Sequence, residues 1–387
     1  MSAPPTDKGA PIESKDQLVA SLEAGCKPKN ALRIGTEHEK FVFTNHEHAP
    51  VPYEGGAGRA GIRDLLEGMM GVTAVDIRAD RVAITSGCNQ AFAATISALC
   101  TDGDEVILPT PWYFNHKMWL DMAGVTTVPL PTGPDLLPDP EAVRALITER
   151  TRAIVLVTPN NPGGVEYPGD TVQAVFDLAR ETGIKLIMDE TYRDFDSRPS
   201  PPHPLLSAPD WEKTLVQLYS FSKAYRLTGH RVGAIVTDEA LLSEIEKFLD
   251  TVTICPSQLG QRAALWGLQN LGGWLAAERA EILDRRAAIH DHLPLLEDTG
   301  WRLMGCGAYF AYLQHPFAAS SATLAPDLVH EIGVLALPGT MFMPASDPAG
   351  ARQFRIAFAN VDRAGIETLF TRLAGLDWPL ATPDRDA

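Results

Sequence analysis

Lys223 follows two small hydroxyl residues, Ser220 and Ser222, and precedes Arg231 by eight positions. Small neighbours let a reactive group come close to the backbone. Two hydroxyls and a guanidinium can together coordinate a phosphate. A lysine amine beside such a site points to a Schiff base with an aldehyde cofactor that carries a phosphate. Ser-x-Ser-Lys alone also describes a surface lysine after a serine turn. The wider frame, with Gly229 and Arg231, weighs against that reading.

The elements that must position these groups follow a strand–helix alternation from about residue 79. A buried strand is expected over 81–85. It turns through Ser86, Gly87, Cys88, Asn89 and Gln90 into an apolar helix over 91–99. A glycine turn at a helix start presents backbone N–H groups to an anion. A strand over 105–109 ends at Trp112 and Tyr113, where an aromatic can stack on a flat ring. Further strands are read at 125–129 and 152–157, with a helix at 138–147. The strand at 152–157 leads into Asn160, Asn161, Pro162, Gly163 and Gly164, an irregular turn that fixes an amide side chain. The strand at 185–189 ends on Asp189, a carboxylate that is costly to bury without a cationic partner. Strands at 215–219 and 231–236 flank the lysine. Helices are expected over 239–250 and 258–293, then strands over 301–312 with a Gly-x-Gly turn, and at 334–337. In a last strand, 354–358, Arg355 lies among apolar residues and needs an anion, which a substrate carboxylate bound bidentately would supply.

The order of these motifs resembles the class I/II aminotransferases, fold-type I enzymes that use pyridoxal 5'-phosphate (PLP). The resemblance covers residues 53–375 or so. It implies an α/β fold with a mostly parallel sheet in a large domain and a smaller α+β domain. It implies that Lys223 carries PLP as a Schiff base and moves a proton during amino transfer between an amino acid and a 2-oxo acid. Gly87, Cys88, Asn89, Ser220, Ser222 and Arg231 would hold the phosphate. Tyr113, with Trp112 second, would stack on the ring. Asp189 would pair with the pyridine nitrogen, and Tyr192 and Asn161 would bond the phenolic oxygen. Asn161 and Arg355 would bind the substrate carboxylate. Gly163 departs from the Thr or Ser that is usual before the last glycine of its motif. Other PLP chemistry, such as β-elimination or decarboxylation, uses the same parts.

A second resemblance lies at the N-terminus. Stretches between residues 11 and 70, including Gly35-Thr36-Glu37-His38-Glu39 and Pro50 to Gly55, are similar to the edge of plant/proteobacterial-type glutamate–cysteine ligases. Glu37 and Glu39 alternate on an expected strand and could share a metal, but the pattern fits a solvated strand face better and no metal site is expected. The rest of an ATP-dependent ligase is missing, so the segment reads as a fused fragment without ligase activity. Tyr53 also fits the aminotransferase frame, in which a tyrosine reaches the partner subunit's phosphate. The expected division is 1–70 for this fragment, 71–270 for the PLP-binding domain and 271–387 for the small domain. The fragment replaces the usual aminotransferase arm, which leaves a folded but inactive fusion as another possible outcome.

Composition narrows the partners. The net charge of −16 argues against nucleic acid. Five scattered cysteines without a CxxC pair suit a reducing cytoplasm and argue against zinc. No apolar run reaches a membrane span, and no signal peptide is evident. The aminotransferase family implies a homodimer.

Overall fold

The computed structural model describes residues 79–199 and 201–381. The ligase-like segment, Glu37, Glu39 and Tyr53 lie outside the described residues.

A seven-stranded sheet forms the large unit. Its strands are β1 (Val82–Thr85), β2 (Glu105–Thr110), β3 (Thr126–Pro131), β4 (Thr151–Val157), β5 (Lys185–Asp189), β6 (Leu215–Ser220) and β7 (Gly233–Val236), in the order β1-β7-β6-β5-β4-β2-β3. Strands β3, β2, β4, β5 and β6 pair in parallel, and β7 runs antiparallel to both β6 and β1. Strand β5 is an apolar run because it is covered on both faces. Leu186 and Met188 join Val172, Val175 and Phe176 of helix Gly169–Thr182 on one side. Ile187 joins Phe92 and Ile96 of α1 (Cys88–Leu99) on the other. Alternation along the strand splits the run between two cores. Each such side chain contributes about 1.5–3 kcal/mol by leaving water.

Parallel pairing puts the ends of β2, β4, β5 and β6 at one edge of the sheet. Strand β1 ends there too, since Thr85 and Ser220 are both in register with Gly233. The turns that carry the candidate residues therefore converge on that edge, where ligands bind in open α/β sheets.

The region expected as one helix over 258–293 is two helices, Gln258–Asn270 and Gly272–His292. Gly272 and Gly273 follow the break at Leu271, and glycine is poor at carrying a helix through. The second sheet is antiparallel throughout: β8 (Arg302–Gly307), β9 (Phe310–Gln314), β10 (Leu337–Pro338) and β11 (Gln353–Ala357), in the order β10-β11-β9-β8. The expected Gly-x-Gly turn is not where the chain turns. Gly305 and Gly307 lie inside β8, and Ala308 and Tyr309 make the turn. A Cβ at Gly305 would stand 2.3 Å from the carbonyl oxygen of Gly163, and one at Gly307 2.3 Å from that of Gly164. These glycines let the small sheet press against the loop after β4.

Candidate active site

The turn between β1 and α1 is built to receive an anion. Gly87 has φ +85° and caps α1 without a side-chain bond to its first turn. The first-turn N–H groups of Cys88 and Asn89 thus have no helical partner. Arg231 closes the other side. A Cβ on Gly87 would lie 2.0 Å from its Nη2, so only glycine lets the guanidinium in. Arg231 itself holds a left-handed φ of +52° just before β7. Its Nη1 donates to Ser222 Oγ at 3.3 Å and to the Thr228 carbonyl at 2.9 Å. Ser220 is spent differently: its hydroxyl caps the short helix Phe221–Ala224 by accepting from Ser222 N at 3.2 Å. The side chains beside Gly87 divide. That of Asn89 is exposed, while the Cys88 thiol turns inward to 3.6 Å from Asp189 Oδ1.

Asp189 ends β5 in full burial. Its Oδ1 accepts from Thr191 N at 3.0 Å and Thr191 Oγ1 at 2.7 Å, and its Oδ2 lies 3.2 Å from His116 Nε2. Burial by itself would raise the carboxyl pKa. The bond and charge of His116, with the two Thr191 donors, overcome this and hold it below the usual range. His116 stacks on Phe92, centroids 4.0 Å apart, and meets Tyr113 edge-on at 5.0 Å. Trp112 has its side chain buried in the core, and its backbone N–H donates to the Phe342 carbonyl at 2.8 Å. Tyr113 is the half-buried aromatic of the pair. Burial, then the charge of Asp189, pushes its phenol well up.

Lys223 is half-buried on the short helix after β6. Its Nζ has no hydrogen bond or ion pair among the described residues. It stands 5.9 Å from the centroid of the Tyr192 ring and 6.0 Å from that of Tyr309. Burial lowers its pKa, and the guanidinium charges of Arg355 and Arg231 lower it further. Arg355 comes from β11 of the other sheet. This is an inner strand, so the arginine is not a solvent-facing edge residue. Its guanidinium lies 4.6 Å from the Phe310 ring and 5.2 Å from that of Phe342, and Nη1 donates to Asn161 Oδ1 at 2.9 Å. Its Nε is buried with no hydrogen-bond partner among the described residues. Asn160, one position earlier, is a loop brace. Its Oδ1 accepts from Gly163 N at 2.7 Å and its Nδ2 donates to Tyr167 at 3.1 Å. A Cβ at Gly163 would crowd that Oδ1 and Leu136 at 2.9 Å each, which accounts for glycine there.

These groups form one electrostatic neighbourhood. The charges of Asp189, Arg355 and Arg231 all act on Tyr113, and Arg355 and Asp189 both act on Tyr192. A phosphate-bearing aldehyde fits the set on three observations. There is an uncapped helix start faced by a guanidinium, a lysine amine without a partner among the described residues, and a buried, ionised carboxylate at the next strand end. His116, Thr191 and Tyr309 were not singled out from sequence. His116 had a readable signal only in its closeness in sequence to Tyr113, which caps the helix Phe114–Met122 that carries it. Thr191 and Tyr309 had none.

Comparison with known proteins agrees with the geometry. The sequence model of the family described as aminotransferase class I and II matches residues 59–373. The aromatic aminotransferase ISS1 of Arabidopsis thaliana is 28% identical over 302 residues, covering 76% of this chain and 74% of that one. The arginine–pyruvate transaminase AruH of Pseudomonas aeruginosa is 31% identical over 276 residues, 70% of this chain and 69% of its own. The structure of Thermus thermophilus aspartate aminotransferase with maleate superposes with a TM-score of 0.73 at 27% identity, over 81% of this chain and 82% of that one. The chain therefore belongs to the class I and II aminotransferases, fold-type I enzymes that depend on pyridoxal phosphate to move an amino group between an amino acid and a 2-oxo acid.

Proposed function

We propose that Lys223 is the residue that binds the cofactor covalently and shuttles the proton. Gly87, Cys88, Asn89, Ser220, Ser222 and Arg231 surround the phosphate in this reading, with Ser220 acting by shaping the turn. Tyr113 would face the ring, Asp189 its nitrogen, and Tyr192 and Asn161 its phenolic oxygen. When bound, pyridoxal phosphate supplies an aldehyde that condenses with amines and a ring that takes up the electron pair left by a departing α-proton. Arg355 and Asn161 fix the α-carboxylate, which orients the α-hydrogen toward Lys223. Lys223 Nζ, released as an amine, would accept that proton and deliver it to the cofactor's former aldehyde carbon. Asp189 stays ionised and balances the ring nitrogen's positive charge. One water would then release the 2-oxo acid and leave the amino group with the cofactor, and the same steps in reverse would pass it to a second oxo acid.

The observation that carries this reading is the convergence of Lys223 and Asp189 from the large sheet with Arg355 from the small one. Borohydride reduction of the holoenzyme followed by peptide mapping tests it. Cofactor fixed on Lys223 is expected, and cofactor on any other lysine sinks the assignment. A donor panel with 2-oxoglutarate, scored for the oxo acid formed, separates transfer from β-elimination and decarboxylation.

Several coarser expectations are proposed with it. Residues 1–58 fall outside the family match, which supports reading the segment over 1–70 as a ligase-like fragment in place of the usual aminotransferase arm; it is proposed to have no ligase activity. The two sheets support a large domain over 71–270 and a small one over 271–387. Exposed Val252, Ile254, Leu259 and Trp266 support a homodimer. The four described cysteines, all free, support a cytoplasmic setting. Sedimentation of the full chain, which should run as a dimer, and an assay for ATP-dependent γ-glutamylcysteine formation, which should read zero, check the dimer and the ligase reading.

A further inference from the structure

Tyr309 has no part in the roles above. It sits on the turn between β8 and β9, in the small-sheet unit, yet its ring reaches the lysine of the large sheet. Its ring meets that of Tyr192 at a centroid distance of 5.3 Å and an angle of 65°. Phe195 braces it at 4.9 Å, and its hydroxyl reaches the Lys223 carbonyl at 3.5 Å. The Lys223 amine lies about equally far from both tyrosine rings, 5.9 and 6.0 Å from their centroids.

We propose that Tyr309 is a positioning residue for Lys223: with Tyr192 it forms a two-ring cradle that steadies the ammonium formed once the freed amine has taken up a proton. The inference rests on Lys223 being the covalent lysine. A lysine that relays a proton must gain it and give it up again at the same site. A carboxylate partner would hold the ammonium in one bonded geometry. Aromatic faces attract the cation through their quadrupole and fix no hydrogen bond. The cradle also opposes its surroundings, because the nearest full charges on Lys223, Arg355 and Arg231, disfavour the charged form. Charges also reach the rings themselves. Glu278, Arg226, Arg285 and Asp194 act on Tyr309, while Tyr113, Arg355 and Asp189 act on Tyr192.

The test uses the full-length apoprotein. Labelling of Lys223 by trinitrobenzenesulfonate is followed against pH by peptide mass spectrometry, and thermal unfolding is recorded in parallel. Tyr309→Phe keeps the ring and should titrate as the parent does. Tyr309→Leu removes the ring and should lower the Lys223 pKa by about half to one unit. Tyr309→Met, which fills similar space, takes its place if the leucine variant does not fold. An unchanged titration in a folded ring-less variant overturns the proposal. So does a phenylalanine variant shifted as far as the leucine one, because the hydroxyl would then be the acting group. Borohydride mapping that finds the cofactor on another lysine would instead remove the reading beneath it.

Discussion

Asp189 receives four donors, from Thr191 N and Oγ1, Cys88 Sγ and His116 Nε2, whereas the amine of Lys223 receives none among the described residues. Both stand at neighbouring strand ends of one sheet. The contrast separates two kinds of preparation. A group that must keep one charge is surrounded by donors that stabilise it and lock its orientation. A group that must form a bond, break it and relay a proton is left with soft aromatic neighbours only. Arg355 lies between these cases, with one firm bond to Asn161 and a buried Nε still open.

The comparison can be broken at either end. The largest expected effect is at the unbonded amine. Lys223→Ala should cut transamination by more than about 10⁴-fold, as removal of a covalent nucleophile does. Because Nζ makes no bond among the described residues, the melting temperature should stay near that of the parent. A large loss of stability in the variant would show that the amine has a structural partner after all. Asp189→Asn should lower kcat by about 10²–10³-fold, the scale of a lost fixed electrostatic stabiliser. It should also destabilise the protein, because a neutral amide cannot accept all four donors. Calorimetry beside kinetics would show whether the two losses come together.

Arg355→Lys should act mainly on substrate. It exchanges a planar fork for a point charge, and loss of a charge-assisted bond predicts a rise in KM of roughly 10–100-fold. A variant that loses kcat with KM unchanged would place the carboxylate elsewhere.

The smallest effect is on acid stability, and it should divide the two sheets. His315, at the end of the small sheet, is buried between two bonds. Its Nδ1 accepts from Phe317 N at 3.2 Å and its Nε2 donates to the Ala351 carbonyl at 3.0 Å. Burial lowers its pKa from 6.5 to about 4. A lowered folded value means that stability is complete above the unfolded value and is lost as pH falls from 6.5 toward about 4. Glu190, beside Asp189, is held at about 2: burial would raise it, but His203 and Arg193, with the bond from Gln217, bring it down. Its contribution is complete above 4.5 and lost only as pH falls toward about 2. The small sheet, which carries Arg355, should therefore loosen at higher pH than the large one. Hydrogen exchange at pH 5 should show β8, β9 and β11 opening before β5 and β6. His315→Phe should weaken that order, and exchange in the reverse order would refute it.

Much of the large sheet was legible because its strands are buried on both faces and read as unbroken apolar runs. Strand β5 was placed over its observed residues, and β4 and β6 to within a residue at one end. The small-sheet turn was misplaced because glycine marks a turn and a close packing contact equally well. Only the backbone of Gly163 and Gly164 against β8 distinguishes the two. The 258–293 helix was read through Gly272 and Gly273 because the apolar pattern resumes beyond them.

By itself, the order of short motifs determined the family, the fold class and the identities of the lysine, the acid and the arginine as candidates. Those are local choices of residue type, and each is visible where it stands. Which groups touch is different. That His116 and Thr191 surround Asp189, that Tyr309 reaches Lys223 from the other sheet, and that Ser220 braces a turn while Ser222 meets Arg231 were decided by the tertiary structure. The physical reason is that these contacts join strand ends and loops far apart in the chain, so their partners are set by sheet register and packing and leave no periodic trace along the sequence.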